Sequence, residues 1–231
     1  MELGGAGLSK RIFDVLVGTV LALVALPVIC VLAGAVAISL GTWPLFVQDR
    51  VGQNGRHFRF FKLRTLPRSI PQYTDKHHFA GVQLPRLCRI MRSTHLDELP
   101  QLLLVPLGKM SLVGPRPKMP DAFEPVDEHY GRIRTTLPQG CTGLWQISRD
   151  AIGLPHEAPQ YDYFYVENRT LRMDVWILWR TFANMAGCGD PVEVSDVPAG
   201  LLRRSSRELA MPAHSVQAQT AVPALATVGA G

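Results

Sequence analysis

Two adjacent acids sit in the segment Arg92-Ser-Thr-His-Leu-Asp97-Glu98-Leu-Pro100-Gln101, and Met110-Ser-Leu-Val-Gly114-Pro115-Arg116-Pro117 follows closely. Carboxylates, guanidinium groups and a glycine–proline turn together suit phosphate chemistry with a divalent metal. The spacing predicts a helix that begins near Asp97. Neighbouring residues on an α-helix point about 100° apart, so Asp97 and Glu98 would not share one role. Free N–H groups and the dipole at a helix N-terminus favour an anion. An aspartate there would stay ionised and serve as nucleophile or metal ligand, and both acids are candidate metal ligands. The bland alternative is a capping acid.

Cations surround this segment. Arg92 lies just before the acids, Lys62 and Arg64 close an apolar run, and Arg116 is flanked by Pro115 and Pro117. Guanidinium groups recognise phosphate with two parallel hydrogen bonds. The competing reading is a solvated basic face, or attraction to anionic lipid. His77, His78 and His95 form no metal box, and His95 reads as incidental. No Gly-x-Ser-x-Gly, Walker or dinucleotide fingerprint is present. Cys30, Cys88, Cys141 and Cys188 contain no C-x-x-C pair; thiols in a reducing compartment fit best.

The elements that must hold these residues are partly legible. Leu45–Val51 and His57–Leu63 read as strands, with Asn54-Gly55 as a tight turn between them. Residues 67–85 read as a loop and 84–91 as a short helix. The helix from Asp97 takes Pro100 in its first turn, where the missing N–H costs nothing, and stops at Gly108. Residues 110–113 suit a short strand, 124–135 and 158–167 helices, and 138–146 a turn-rich connection. Residues 171–186 carry large apolar side chains on more than one helical face: a core helix, or one dipped into a membrane interface.

The ends of the chain differ from its middle. Between Val15 and Leu40 there is no charged residue. About 26 such residues make a helix of roughly 39 Å, enough to cross a bilayer core. Two topologies are open: one spanning helix, or a re-entrant helix that bends at Pro27 and returns. Lys10 and Arg11 on one flank, and Arg50, Arg56, Arg59, Lys62, Arg64 and Arg68 on the other, favour the re-entrant path, because basic flanks face the cytoplasm. Residues 1–42 are thus an anchor and 43–190 a catalytic body. Residues 191–231 are poor in aromatics and read as a disordered tail. The formal net charge is +5. A nucleic-acid partner is disfavoured, since the cations cluster by the membrane segment and lack interleaved aromatics.

In order along the chain, these segments resemble the bacterial sugar transferase family, the monotopic polyprenyl-phosphate phosphoglycosyl transferases. The resemblance is carried by Lys10-Arg-Ile-Phe-Asp14, Pro44-Leu-Phe-Val-Gln48-Asp-Arg50-Val-Gly52, residues 58–65, Leu96-Asp97-Glu98-Leu-Pro-Gln101, residues 110–117, Thr142-Gly143-Leu-Trp-Gln146, Tyr165-Val-Glu-Asn168 and Asp174. It implies an α+β fold: a small α/β catalytic domain with an N-terminal re-entrant helix and amphipathic interfacial helices. It implies a UDP-sugar and polyprenyl phosphate as substrates and Mg²⁺ as cofactor. Asp97 and Glu98 become the catalytic pair, with Asp97 attacking the β-phosphate and releasing UMP. Lys62, Arg64, Arg92, Gly114, Pro115, Arg116 and Pro117 become substrate-binding. The location expected is the cytoplasmic face of a bacterial inner membrane, against membrane lipid, and a homo-oligomer is compatible with it. The chain departs from the family at Leu66, Leu104, Lys118 and Gln139-Gly140. These departures keep a second reading open: a membrane-attached paralogue that binds nucleotide-sugar or a partner without turnover.

Overall fold

A computed structural model describes residues 4–73, 82–120 and 126–203. The fold is mixed helix and sheet. It opens with helix α1, Gly4–Leu40, which is helical on both sides of Pro27. A proline in a helix interior removes one backbone hydrogen bond and crowds the carbonyl four residues back, which favours a bend rather than an end of the helix. At 37 residues the helix is about 56 Å long at 1.5 Å per residue.

Its two faces differ. Ala25, Ile29 and Val36 are buried against Leu63 and Met91, while Phe13, Val17 and Leu21 pack on the main core. The opposite face exposes Leu16, Val20, Leu23, Val24, Val31 and Ile38. One domain therefore holds the helix along its length. Lys10 and Arg11, read from sequence as a basic flank, are docked instead. Arg11 donates to the carbonyls of Val105 and Pro106 at 2.9 and 3.0 Å.

Strands β1 (Leu45–Val51) and β2 (His57–Leu63) form the expected antiparallel hairpin, with Phe46 opposite Lys62. Asn54 and Gly55 take positive φ in its turn, the conformation that Asn-Gly supplies at least cost. Helix α2 (Arg86–Ser93) buries Cys88 and Met91, three residues apart on one face. The 67–85 loop reading lies partly outside the described residues, since 74–81 are not among them.

The segment after α2 is a 3-10 helix, Leu96–Leu104, not an α-helix reaching Gly108. Pro100 is its fifth residue rather than part of a first turn. A proline ring there clashes with an α-helical i−4 carbonyl, so the tighter winding wins. Strand β3 (Ser111–Val113) pairs in parallel with β4 (Gly140–Thr142), a strand inside what the sequence reads as a turn-rich connection. The pairing depends on bare backbone. A Cβ on Gly140 would come within 2.2 Å of Gly114 N, and one on Gly114 within 2.4 Å of Pro138 O.

Helix α3 spans Glu128–Arg134, capped by the Asp127 side chain; the expected start at Glu124 lies outside the described residues. Helices α4 (Gln160–Asn168) and α5 (Leu171–Met185) follow as expected. Helix α5 has a core face and an exposed apolar face. Met173 and Ile177 are buried, whereas Leu171, Val175, Trp179 and Phe182 are exposed. These four recur at i, i+4, i+8 and i+11, one apolar stripe on a helix.

The folded body extends beyond Asp190. Val192 and Val197 are buried, and Val192 N–H donates to Ile147 O at 3.0 Å. Averaged composition hid these two valines within a polar stretch. Residues 204–231 lie outside the described set.

Candidate active site

Helix α2 ends as Thr94 turns its hydroxyl back onto Ile90 O at 2.7 Å. His95 then adopts left-handed φ of 57°, which costs a non-glycine residue about 1–2 kcal/mol. His95 is thus not incidental: it forms the corner that places the 3-10 helix beside α2 and brings Arg92 within electrostatic reach of Asp97. Successive residues of a 3-10 helix diverge by about 120°, and the two acids have different surroundings.

Glu98 is held. Arg116 Nη2 lies 2.8 Å from Oε1 and Nη1 lies 3.4 Å from Oε2. Burial alone would raise its pKa; Arg116 and then Lys62 reverse this and bring it to about 2. Asp97 is 4% exposed and has no hydrogen bond or salt bridge among the described residues. Burial raises its pKa most, Lys62 opposes that, Glu98 adds to it, and Arg92 opposes it. Burial thus works against the anion that a helix terminus was expected to favour, and Lys62 and Arg92 work for it.

Lys62 is half-buried on β2. Burial pulls its pKa down while Glu98 and Asp97 pull it up. Its ammonium lies 5.6 Å from the Phe46 ring centre. Arg92 Nη1 donates to Thr65 Oγ1 at 3.2 Å. Arg64 is placed elsewhere. Its guanidinium donates to the carbonyls of Trp43 and Leu45 at 3.2 and 3.4 Å and lies over Phe46, so it supports the junction between α1 and β1.

The Gly114-Pro115-Arg116-Pro117 turn is braced from three sides. Gly114 N–H donates to Thr142 O at 2.9 Å. Arg134, fully buried, donates to Arg116 O at 2.6 Å, and its Nε lies 3.3 Å from Asp162 Oδ2. Arg50 donates to Pro117 O at 3.1 Å. Among the departures, Leu104 is core. Gln139 gives its amide to the carbonyls of Arg134 and Leu137 at 3.0 and 3.1 Å. Lys118 is buried, and its carbonyl accepts from Val51 N–H at 3.0 Å.

Sequence reasoning gave Arg134 no role, and named Thr65, Arg50, Lys10, Asp14 and Asp174 only as a basic flank or for the resemblance, without joining them to the site. The Lys10–Asp14 spacing of i, i+4 is the one signal that was present.

No group of three or more His, Cys, Asp or Glu side chains suited to a metal occurs among the described residues. Mg²⁺ is commonly held by one or two carboxylates, with substrate phosphates and waters completing its shell. Asp97, buried and without a hydrogen bond among the described residues, next to an ionised Glu98, fits that pattern.

The sequence matches the bacterial sugar transferase family over residues 6–187. It is 37% identical to the exopolysaccharide production protein ExoY of Sinorhizobium fredii, over 76% of this chain and 84% of that protein. It is 30% identical to a UDP-N-acetylgalactosamine-undecaprenyl-phosphate N-acetylgalactosaminephosphotransferase of Aeromonas hydrophila, over 74% of this chain and 42% of that protein. It is 28% identical to a UDP-glucose:undecaprenyl-phosphate glucose-1-phosphate transferase of Klebsiella pneumoniae, over 74% of this chain and 39% of that protein. With its acid pair, cations and braced turn inside the matched span, this chain is a transferase and belongs to the bacterial sugar transferase family.

Proposed function

We propose that the chain moves a sugar phosphate from a UDP-sugar to a polyprenyl phosphate, releasing UMP, through a covalent intermediate on Asp97. The observation that carries this reading is the division between the acids. Glu98 is fixed on Arg116, while Asp97 has no hydrogen bond or salt bridge among the described residues and is faced by the charges of Lys62 and Arg92. A carboxylate that must form a bond to phosphorus needs a free oxygen, and a neighbour with both oxygens engaged is poorly placed to attack.

In the first step an Asp97 oxygen attacks the β-phosphorus and the bond from that phosphorus to the α–β bridging oxygen breaks. The electron pair leaves with UMP. In the second step a polyprenyl phosphate oxygen attacks the same phosphorus and the acyl phosphate bond breaks, returning Asp97 as a carboxylate. Lys62 and Arg92 face the acids and are placed to stabilise the charge of the transferring phosphate. Arg116 keeps Glu98 anionic and in one orientation. Asp97 and Glu98 would hold Mg²⁺, which supplies positive charge to the phosphates.

Both ends of α1 pack on the same domain. This supports a helix that enters and leaves one leaflet rather than crossing to a far side. The exposed stripes of α1 and α5 supply apolar surface for lipid. The face used is the cytoplasmic one, where UDP-sugars are made available. UMP release by the purified full-length chain, assayed over a panel of UDP-sugars with polyprenyl phosphate, tests the reading. No UMP with any donor would reject it.

A further inference from the structure

Strand β3 is paired on one edge only. Ser111 N–H donates to Gln139 O at 2.8 Å and Gly114 N–H to Thr142 O at 2.9 Å. Between them Leu112 N–H points the other way, and its acceptor comes from the anchor helix: Asp14 Oδ1, at 3.1 Å. The second oxygen of Asp14 accepts from the Ser111 hydroxyl at 2.8 Å. Asp14 is only 3% exposed. Lys10, one helical turn away, lies 3.1 Å from Asp14 and 3.0 Å from Asp174 on α5. The other Asp174 oxygen is 2.6 Å from the Tyr165 hydroxyl, which also lies 3.1 Å from Val113 O. Anchor, strand, α4 and α5 thus meet in one buried polar cluster.

None of these groups touches the acid pair. The strand they hold does lead there: Val113 is followed by Gly114, and two residues on Arg116 grips Glu98. Apolar contacts alone could seat α1, since Phe13, Val17 and Leu21 already pack on the core. Apolar packing is non-directional, however, and would permit the helix to slide or turn. Hydrogen bonds that one carboxylate accepts from a backbone N–H and a neighbouring hydroxyl select a single register. A buried charge is weak evidence for stability, and fixing one arrangement is its better-attested use.

We infer that Asp14 is a positioning residue for the transfer reaction. Through Asp14 the membrane helix fixes the strand that aims Arg116 at Glu98, so the anchor is part of the active-site scaffold as well as a tether.

The full-length Asp14→Asn chain in nanodiscs tests this against the unaltered chain. The amides of 111–116 should exchange with deuterium faster while those of β1 and β2 keep their protection; unchanged exchange at 111–116 overturns the inference. The turnover arm rests on the transferase reading. There Asp14→Asn should lower kcat about tenfold, with KM for the UDP-sugar little changed. Its effect should also be non-additive with that of Arg116→Lys, because the first change already frees the group that the second alters. Losses that simply add, in a chain that melts earlier, would mean a role in stability alone and overturn the inference. Ser111→Ala removes one of the two bonds and spares the charge. It should move exchange and coupling in the same direction, and it serves where Asp14→Asn fails to fold. A wild-type chain that releases no UMP would reject the transferase reading, while the exchange arm still decides the positioning role.

Discussion

Arg116 meets Glu98 fork to carboxylate, at 2.8 and 3.4 Å, and Asp97 beside it has no hydrogen bond or salt bridge among the described residues. The pair is therefore divided by geometry before any substrate arrives. One acid is spent on holding its arginine, and the other keeps its oxygens for chemistry.

Arg116→Lys keeps the charge but loses the planar fork. Glu98 would then be held by one contact at most, and the acid pair would lose its fixed orientation. UMP release should fall by about 10²-fold, the scale seen when one preorganised electrostatic partner is removed. Turnover within a factor of a few of the unaltered chain would show that the fork is dispensable.

The two acids should divide the pH profile as well. Attack requires Asp97 as an anion. Burial raises its pKa and Lys62 opposes that rise, so kcat/KM should fall with decreasing pH through a midpoint above the usual carboxylate range of about 4. Glu98, at about 2, stays ionised throughout that range and does not set the limb. Lys62→Met removes the opposing charge and should move the limb to higher pH. A limb that stays in place would separate Lys62 from Asp97.

Arg134 and Asp162 carry a separate prediction about stability. Removing one member of a buried pair strands the other, at a cost of about 3–5 kcal/mol. Arg134→Met should therefore lower the melting temperature sharply, and Arg134→Met with Asp162→Leu should recover part of the loss. Equal losses in the single and double variants would show that the Arg116 carbonyl contact, not the charge pair, is what matters.

Much of this arrangement was legible in the sequence, and the misses have physical causes. The hairpin was marked by Asn54-Gly55 because few dipeptides accept two positive φ values in a row. The length of α5 followed from its apolar spacing, and its Met173–Ile177 side is core as one of the two readings expected. Pro100, read as harmless, changed the helix type of the segment that carries the acids. His95 gave no signal because positive φ is uncommon for any single non-glycine residue, even where His is enriched among the exceptions. Arg64 resembles Lys62 and Arg92 in type, yet main-chain carbonyls hold it away from the acids. Lys10 and Asp14 were visible as an i, i+4 pair, but their contacts with Asp174 and β3, and that of Arg134 with Asp162, join residues far apart in the chain, and no local pattern encodes such a contact.

Membrane attachment should depend on the exposed stripe of α5 as well as on α1. Trp179→Ser with Phe182→Ser should weaken binding to vesicles containing anionic lipid, with UMP release in detergent unchanged. A cysteine in place of Leu8, exposed on α1, should resist an impermeant thiol reagent added to intact cells. Labelling there would show a helix that crosses the bilayer.

The covalent role of Asp97 is the centre of the account, and one measurement addresses it. The full-length chain is incubated with a UDP-sugar and Mg²⁺ but no polyprenyl phosphate, quenched in acid and digested, and the peptides are weighed. The account predicts a mass gain equal to one sugar phosphate on the peptide containing Asp97, with UMP released in equal amount, and neither in Asp97→Asn. A peptide of unchanged mass from a chain shown to be active, or UMP release at the normal rate by Asp97→Asn, would contradict it.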